Sequence, residues 1–132
     1  MAEFVVSTRG KTEALDVTDG VQKIVSKTAE GADGVAFVFA LHGTCGLVKN
    51  EFEPRICGDY LKLAGKLERE KWAHDEIDDN AAAHLASAVA GSEVAVPVER
   101  GRLVLGTWQR IILLEFDGPR KRRIVVSFIE ST

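Results

Sequence analysis

The amino-acid sequence predicts one α+β domain over residues 1–132, in which mainly antiparallel strands form a sandwich or curved sheet with about three helices. Apolar, β-branched segments recur along the whole chain, and the last four follow one another with only short glycine-containing turns between them. Strands without intervening helices are typical of antiparallel pairing, so a doubly wound parallel sheet is the weaker alternative.

The chain is expected to begin with a hairpin followed by a helix. Residues 3–8 and 12–17 have the character of short strands on either side of the turn Arg9-Gly10-Lys11. Asp19 is the expected N-cap of the first helix, because apolar residues follow it at helical spacing. Gly31 ends this helix, whose apolar face is expected to cover a sheet.

A central strand and a second helix come next. Residues 34–42 are apolar on both faces, which indicates a strand inside the fold with His42 at its end. Pro54 is favoured in the first turn of a helix, which is expected to extend over roughly 54–68. Residues 69–79 are expected to form a long, charged connection.

The remaining segments predict a third helix and four strands. Asn80 is the expected N-cap of an alanine-rich helix over residues 81–90, which Gly91 ends. Strand character is found in residues 94–98, 102–105, 108–116 and 123–129. We expect the last two strands to form a hairpin and Trp108 to lie in the core.

Composition excludes several classes of protein. The formal net charge of −3 gives no general attraction to nucleic acid or to an anionic membrane. The longest apolar run, residues 35–41, is far shorter than the roughly 20 residues that span a bilayer. The start of the chain lacks the features of a secretory signal, and Cys45 and Cys57 form no C-x-x-C pair. These features predict free thiols in a reducing cytoplasm, with no membrane or nucleic-acid partner.

The three histidines of the chain are candidate metal ligands. His42 ends a strand, His74 opens an acidic loop and His84 lies in the first turn of a helix. Three imidazoles on one divalent ion leave a coordination position for water or substrate. The pattern leaves open that His42 caps a strand by hydrogen bonding, and that the other two are surface or packed residues.

Carboxylates and basic groups supply further candidates. The loop 74–80 holds four carboxylates, of which Asp75 is a candidate general base, although such a run also suits a solvated loop. Gln109 and Glu115 lie six residues apart, so in an unbulged strand both reach the same face, where Glu115 is a candidate proton carrier or a paired carboxylate. The basic run 120–123 suits a phosphate, or a strand edge that discourages pairing.

Other sites find little support in the sequence. The chain has no G-x-S-x-G motif, and Cys45, three residues after His42, is only a remote candidate nucleophile. It also lacks the glycine-rich loops that bind nucleotides.

Several blocks, taken in order, resemble the YjbQ-like family of secondary thiamine-phosphate synthases. The resemblance runs from about Phe37 to Ile129. It rests on residues 42–51 (HGTCGLVKNE), Asp59, His74-Asp75, residues 80–84 (NAAAH), and residues 97–98, 101–103, 105–109 and 115–120. Gly43 and Cys45 depart from the hydroxyl residue and the alanine that are common in the histidine block of the family.

The resemblance implies a YjbQ-like α+β sandwich, commonly trimeric, with His42, His74 and His84 at one metal site. Zinc is the expected ion, with magnesium or manganese as alternatives. The implied activity is thiamine-phosphate synthesis, which joins a pyrimidine diphosphate to a thiazole phosphate and releases pyrophosphate, or another reaction of a phosphorylated small molecule. The alternatives are a metal-dependent hydrolase of an ester or phosphoester, and a non-catalytic trimeric protein that binds a ligand or metal.

These interpretations define the candidate site residues. The candidate proton carriers are Glu51, Asp75 and Glu115, and the candidate substrate-binding residues are Asn50, Asn80, Gln109 and Arg120. Arg122 is a second candidate for stabilising a pyrophosphate leaving group.

Overall fold

The computed structural model describes residues 1–132 and shows a sandwich of two antiparallel sheets, with two helices packed on one of them. The strands are β1 (Ala2–Ser7), β2 (Glu13–Asp16), β3 (Gly34–Ala40), β4 (Cys45–Asn50), β5 (Glu93–Glu99), β6 (Arg102–Leu103), β7 (Arg110–Glu115) and β8 (Lys121–Glu130). The helices are α1 (Thr18–Thr28), α2 (Pro54–Gly65) and α3 (Ala81–Ala90), with short 3-10 helices at Lys66–Arg69 and Ala73–Glu76. The predicted fold class, with three helices, is confirmed.

The pairing of the strands differs from the prediction at both ends of the chain. The five-stranded sheet has the order β1-β8-β3-β5-β6, and the three-stranded sheet has the order β2-β7-β4. The predicted hairpins of β1 with β2 and of β7 with β8 are therefore wrong, because each connection crosses from one sheet to the other. The predicted basic strand edge is also wrong, because β8 lies between β1 and β3.

The main core lies between the two sheets. Alternate residues of β3, Ala36, Val38 and Ala40, point into this core and are buried. Ile111 and Leu113 of β7 face them from the three-stranded sheet. Helix α1 contributes Val21 and Val25 to the same core, at the spacing that places both on one helix face.

A second core lies between the three-stranded sheet and helices α2 and α3. Ile112 and Leu114 of β7 point away from the main core and pack with Ala83 and Ala86 of α3. The small residues of α3 allow it to approach the sheet closely. A Cβ added to Gly46 of β4 would lie only 2.7 Å from the Cβ of Ala90.

Helices α2 and α3 begin at the residues that the sequence predicts. Helix α3 covers the predicted residues 81–90. Helix α2 begins at Pro54, and the carboxylate of Glu53 caps it by accepting hydrogen bonds from the N–H groups of Arg55 and Ile56 at 3.0 and 3.1 Å. The α-helix ends at Gly65 and continues as a 3-10 helix, so the predicted end at 68 is three residues too late for an α-helix.

The outward side of the five-stranded sheet, called the outer face below, is covered by no helix. Val35, Phe37 and Phe39 alternate with the inward residues of β3 and belong to neither core. Val125 of β8 lies opposite Phe39 on this face, and Val5 of β1 is exposed near it. A half-buried apolar surface therefore lies on the side of the sandwich opposite to α2 and α3.

Trp108 is not a core residue. Its side chain is 73% exposed, because β7 begins only at Arg110 and residues 106–109 form a turn outside the sheet. The prediction that Trp108 lies in the core is therefore wrong. None of the helices is long and apolar enough to cross a membrane.

Candidate active site at the histidine end of the sandwich

His42 lies two residues beyond the end of β3, against the neighbouring strand β8. Its Nε2 accepts a hydrogen bond from the backbone N–H of Arg123 at 2.8 Å. Burial lowers the pKa of His42, and the positive charge of Arg122 lowers it further. The ring is therefore neutral at pH 7, with Nε2 as an acceptor and its proton on Nδ1.

His74 and His84 form a pair. His74 lies in the 3-10 helix Ala73–Glu76 and His84 in the first turn of α3, with ring centroids 5.1 Å apart and ring planes inclined by 58°. Asp75 holds the turn by accepting a hydrogen bond from the N–H of Trp72 at 3.2 Å. The Nδ1 atom of His74 is buried and has no hydrogen-bond partner within the chain. Such an atom is rare in a folded protein and is available to a water, an ion or a ligand.

His84 also reaches the segment that carries His42. A Cβ added to Gly43 would lie 3.2 Å from the Nδ1 of His84, so the imidazole packs against the backbone next to His42. The three histidines, which are distant in the sequence, therefore lie at the same end of the sandwich. The absence of a side chain at Gly43 leaves the space that the His84 ring occupies.

The residues present fit a metal ion only in part. The tilted rings of His74 and His84 and the unpartnered Nδ1 of His74 suit a shared divalent ion. His42 does not fit in this conformation, because its Nε2 accepts the N–H of Arg123. No group of three or more His, Cys, Asp or Glu residues is arranged to share one ion. The structure thus presents a histidine pair, and the set of three ligands stays a prediction.

A buried ion pair lies behind the histidines. Arg122 of β8 and Glu115 of β7 join the two sheets through hydrogen bonds from the guanidinium Nε, at 2.9 Å, and from a terminal nitrogen. The side chains are 3% and 0% exposed. Thr8 donates to Glu115 at 2.7 Å, and Thr44 accepts from Arg122 at 2.8 Å. Charged hydrogen bonds therefore join the two sheets at this end of the sandwich.

This environment fixes the charge of Glu115. Burial alone would raise the pKa of Glu115, but hydrogen bonds from Arg122, Thr8 and the N–H of Asp117 more than offset this effect, so the pKa is lowered. A carboxylate that is charged at neutral pH, paired with a guanidinium and fully enclosed has no path to a ligand. We therefore assign Glu115 to positioning, not to proton transfer, and Arg122 cannot hold a leaving group for the same reason.

Cys45 is also poorly placed to act as a nucleophile. It is fully buried, and burial raises the pKa of its thiol to about 11. The thiolate, which is the nucleophile, is therefore scarce at neutral pH. The remote prediction of Cys45 as a nucleophile does not agree with this position.

Arg120 and Asn80 form the accessible rim of this end. Arg120 donates to the carbonyl and carboxylate oxygens of Asp117 at 2.7 and 2.9 Å, and its side chain is 52% exposed. Asn80 donates to the same carboxylate at 3.2 Å, while its Oδ1 is buried without a partner. Burial would raise the pKa of Asp117, but the bonds from Asn80 and Arg120 lower it.

Three predicted site residues lie at the opposite end of the three-stranded sheet. Asn50 is opposite Arg110 in the register of β4 and β7, whereas Cys45 is opposite Glu115. Five residues of strand correspond to roughly 17 Å. Glu51 follows Asn50, and Gln109 uses its Oε1 to accept the N–H of Gly106 at 2.9 Å. The structure does not bring Glu51, Asn50 or Gln109 to the histidines, and the predicted shared cavity of Gln109 and Glu115 is wrong.

Sequence reasoning missed Thr8, Thr44 and Asp117 as parts of this site. Thr8 and Glu115 are 107 positions apart, so only the crossing of both connections between sheets brings them together. No local sequence pattern identifies Thr8 or Thr44 as a residue of this site. For Asp117, the neighbouring Gly118 indicated a turn but not the bond to Asn80.

Comparisons with known proteins agree with this fold. Residues 2–131 match the model of a family described as UPF0047 protein YjbQ-like. A UPF0047 protein of Archaeoglobus fulgidus is 44% identical over 126 residues, which cover 94% of this chain and 97% of the relative. UPF0047 protein YugU of Bacillus subtilis is 34% identical over 128 residues, covering 94% and 95%.

Solved structures give the same result. A hypothetical protein from Aeropyrum pernix K1 superposes with a TM-score of 0.93 at 36% identity, covering 98% of each chain. A YbjQ-like protein of unknown function from Sulfolobus solfataricus P2 also gives a TM-score of 0.93, at 39% identity, covering 98% of this chain and 96% of the other.

Proposed function

The chain belongs to the YjbQ-like UPF0047 family, and we propose that it is an enzyme that acts on a phosphorylated small molecule at the histidine end of its sandwich. The observation that carries the proposal is the buried, unpartnered Nδ1 of His74 beside His84. An unsatisfied nitrogen next to a second imidazole and an accessible arginine is the arrangement expected of a site that awaits a ligand.

Arg120 is the proposed phosphate-binding group. A guanidinium has five N–H donors, and Arg120 uses two of them on Asp117. The other donors are free for the oxygens of a phosphate, which suit the planar geometry of arginine. Asp117 holds Arg120 in place while the side chain remains half-exposed.

We propose that His74 and His84 hold a divalent ion, with zinc favoured by the nitrogen ligands and manganese or magnesium as alternatives. A bound ion would act as a Lewis acid toward a phosphate oxygen. His42 would become the third ligand after giving up the N–H of Arg123. While that bond is kept, the neutral His42 ring retains an Nδ1–H that can donate to a substrate.

The remaining residues position these groups. The buried pair of Arg122 and Glu115 fixes the end of β8 and with it the N–H that holds His42. Asp75 holds the turn that carries His74, so we propose that it orients the ligand rather than transfers a proton.

The reaction we propose first is the coupling of a pyrimidine diphosphate to a thiazole phosphate with release of pyrophosphate. Arg120 would bind the phosphate groups, and the histidine end would stabilise the negative charge of the leaving pyrophosphate. Hydrolysis of a phosphoester uses the same groups and differs in that water is the nucleophile. The products distinguish the two reactions, since only coupling yields both pyrophosphate and a joined molecule.

We also propose that the protein forms a homotrimer and works in the cytoplasm. The apolar outer face of the five-stranded sheet supports self-association, because such a surface is seldom left bare. The two cysteines are buried and unpaired, which agrees with a reducing compartment.

The test combines metal content with product analysis. Tag-free protein is equilibrated with zinc and then analysed for metal, beside His74→Ala, His84→Ala and His42→Ala. We expect about one ion per chain, a loss of at least tenfold in affinity for His74→Ala and His84→Ala, and a smaller loss for His42→Ala. Lys121→Ala, an exposed cation on β8, is the control and should bind normally.

The loaded proteins are then incubated with a panel of phosphorylated metabolites that includes the pyrimidine diphosphate and the thiazole phosphate. Turnover that falls in Arg120→Ala and in both histidine variants supports the proposal. Tight binding without turnover across the panel would instead establish a non-catalytic binding protein. Full turnover in His74→Ala and His84→Ala would contradict the proposed site.

A further inference from the structure

Residues 73–79, called the strap below, connect the two helices that pack on the three-stranded sheet. Before the strap, Trp72 is tied to the 3-10 helix that continues α2, because its Nε1 donates to the carbonyl of Leu67 at 2.8 Å. The strap ends at Asn80, directly before α3. Six of its seven residues are exposed, and His74 alone is half-buried. The strap is therefore fixed at its two ends and exposed between them.

Every hydrogen bond of the strap stays within it or joins it to Trp72. The N–H of Asp75 donates to the carbonyl of Trp72 at 3.1 Å, and the N–H groups of Ile77 and Asp78 donate to the carbonyl of His74 at 2.9 and 3.0 Å. No residue of the strap forms a salt bridge. The strap can therefore leave the sandwich as a unit without breaking a hydrogen bond of either sheet.

A cavity of about 290 Å³ separates part of the strap from α3. Asp75 and Asp79 of the strap line this cavity together with Ala82, in the first turn of α3, and Lys11. The strap is therefore not closely packed on the helix at these residues. Close packing is what holds a segment without external hydrogen bonds in place, so the strap is weakly held here.

His74 provides the contact that keeps the strap against the sandwich. Its ring centroid lies 5.1 Å from that of His84, and no other side chain of the strap is even half-buried. The same position buries the Nδ1 of His74 without a partner in the chain. An unpaired buried nitrogen is unfavourable, and an open strap would expose it to water. The contact of the two rings is thus opposed by the desolvation of Nδ1, which a bound ion would offset.

The closed strap also gathers like charges. Asp75 and Asp79 line the same cavity as Glu68 and Glu70, and Lys11 is the one cation among the residues around it. Carboxylates that share a cavity repel each other, which disfavours the closed position. A divalent cation at the neighbouring histidines would reduce this repulsion.

We propose that residues 73–79 open and close as a unit over the histidine pair, with the contact of His74 and His84 as the closing contact. The open strap admits a ligand, and its closure returns His74 to His84 and completes the site. A cation that binds both rings binds only the closed state and shifts the equilibrium toward it. The opening follows from the contacts of the strap itself, whereas its closure by a metal rests on the proposed function.

Hydrogen exchange of the full chain, followed by mass spectrometry, measures the opening with a chelator and then with zinc. Without metal, we expect the amides of Ile77 and Asp78 to exchange at least 100-fold faster than those of residues 85–90 in α3, although both sets are hydrogen-bonded. Zinc should slow exchange in the strap at least tenfold and leave β3 unchanged. Elemental analysis of the same samples shows whether zinc is bound.

His84→Ala removes the closing contact and leaves the sequence of the strap intact. We expect it to speed exchange in the strap at least threefold without metal and to abolish the effect of zinc. Ile77→Ala is the matched control within the strap, since this side chain is 86% exposed. It should exchange like the unaltered protein and keep the effect of zinc. Exchange of residues 85–90 shows whether α3 stays folded in each variant.

Strap amides that exchange no faster than those of α3 without metal would overturn the proposal. Bound zinc that leaves exchange in the strap unchanged would also overturn it, while the proposed metal site would stand. Absence of bound zinc would instead refute that metal site. The strap is then decided by the two variants without metal, and equal exchange in His84→Ala and Ile77→Ala would overturn the proposal.

Discussion

At the scale of single residues, the ion pair of Arg122 and Glu115 is the most consequential feature of the histidine end. Two opposite charges are removed from water and are compensated by each other and by Thr8 and Thr44. Such a pair contributes little net stability compared with apolar residues, but losing one partner leaves an uncompensated buried charge. A substitution that removes only one of the two residues is therefore expected to destabilise the fold more than the pair stabilises it.

We expect Glu115→Gln to lower the free energy of unfolding by about 3 kcal/mol, because it leaves the buried guanidinium of Arg122 without a counter-ion. Urea denaturation at pH 7 measures this change. Glu99→Gln, on the exposed side of β5, should change it by less than about 0.5 kcal/mol. Equal stability of Glu115→Gln and the unaltered protein would show that the pair is not buried in solution.

The same carboxylate makes stability depend on pH. The pKa of Glu115 is lower in the folded protein than in the unfolded chain, so its stabilising effect is complete above the unfolded pKa. This effect is lost as the pH falls through the folded pKa. We therefore expect the unfolding free energy to fall on acidification below about pH 4.5, and to fall less steeply in Glu115→Gln.

Cys45 gives a second prediction at this scale. A pKa of about 11, against 9.0 for an ordinary thiol, reduces the thiolate fraction roughly 100-fold at neutral pH. Burial hinders the approach of a reagent as well. We expect iodoacetamide at pH 7.5 to label Cys45 of the native protein at least 100 times more slowly than in urea, as measured by mass spectrometry. Labelling at similar rates would mean that this end of the sandwich opens readily.

The candidate site could be predicted only in part from its residues. The histidines are rare and stand at element ends, so the sequence identified all three, and Arg120 lies in a visible basic run. The sequence identifies Glu115 as a polar strand residue. Its pairing with Arg122 could not be predicted, because it depends on how the two sheets pack against each other. The hydrogen bond of His42 to the N–H of Arg123 depends on the same pairing. Local patterns contain no such information.

At the scale of elements, the sequence predicts helices better than strand partners. Helix α3 has local causes, an alanine-rich segment closed by Gly91, and its bounds are those predicted. The partner of β1 is instead β8, more than a hundred residues away. The turn at Arg9-Gly10-Lys11 shows that the chain reverses, but not whether the next strand joins the same sheet.

Gly43, in a loop, and Gly58, inside α2, allow the same substitution to be compared at the histidine end and away from it. A Cβ at Gly43 would lie 3.2 Å from the Nδ1 of His84, whereas one at Gly58 inside α2 would meet nothing within 4 Å. We expect Gly43→Ala to displace His84 and weaken zinc binding at least tenfold, with little change in unfolding free energy. Gly58→Ala should raise that free energy by about 0.5–1 kcal/mol and leave zinc binding unchanged.

Zinc titration and urea denaturation of both variants measure these effects. The comparison is sharp because the two substitutions add the same methyl group. Unchanged zinc binding in Gly43→Ala, with the fold intact, would show that His84 is not held against this segment. A loss of stability in Gly58→Ala would contradict the open surface at that position.

At the scale of the whole molecule, the sandwich has two polar ends joined by the three-stranded sheet. The histidines and Arg122 lie where β7 ends, and a cavity lined by Glu51, Phe52 and Trp108 lies where β7 begins. Because both ends terminate the same three strands, a substitution in the core of this sheet should disturb both ends, whereas one at either end should affect that end alone.

The outer face of the five-stranded sheet gives the last prediction. Phe37 points out of the sandwich, belongs to neither core and is covered by no helix. If copies of the chain associate through this face, Phe37→Lys should break the assembly at little cost in stability, because the lysine stem can lie over the neighbouring residues with its charge in water. Leu63→Lys is the matched control, since Leu63 is 68% exposed on α2 at the other side of the molecule. Sedimentation equilibrium should give a mass of three times 14.4 kDa for the unaltered chain and for Leu63→Lys, and 14.4 kDa for Phe37→Lys. A monomeric unaltered chain would exclude the trimer. Dissociation by Leu63→Lys alone would place the contact on α2, because a charge disrupts only an interface that buries it away from water.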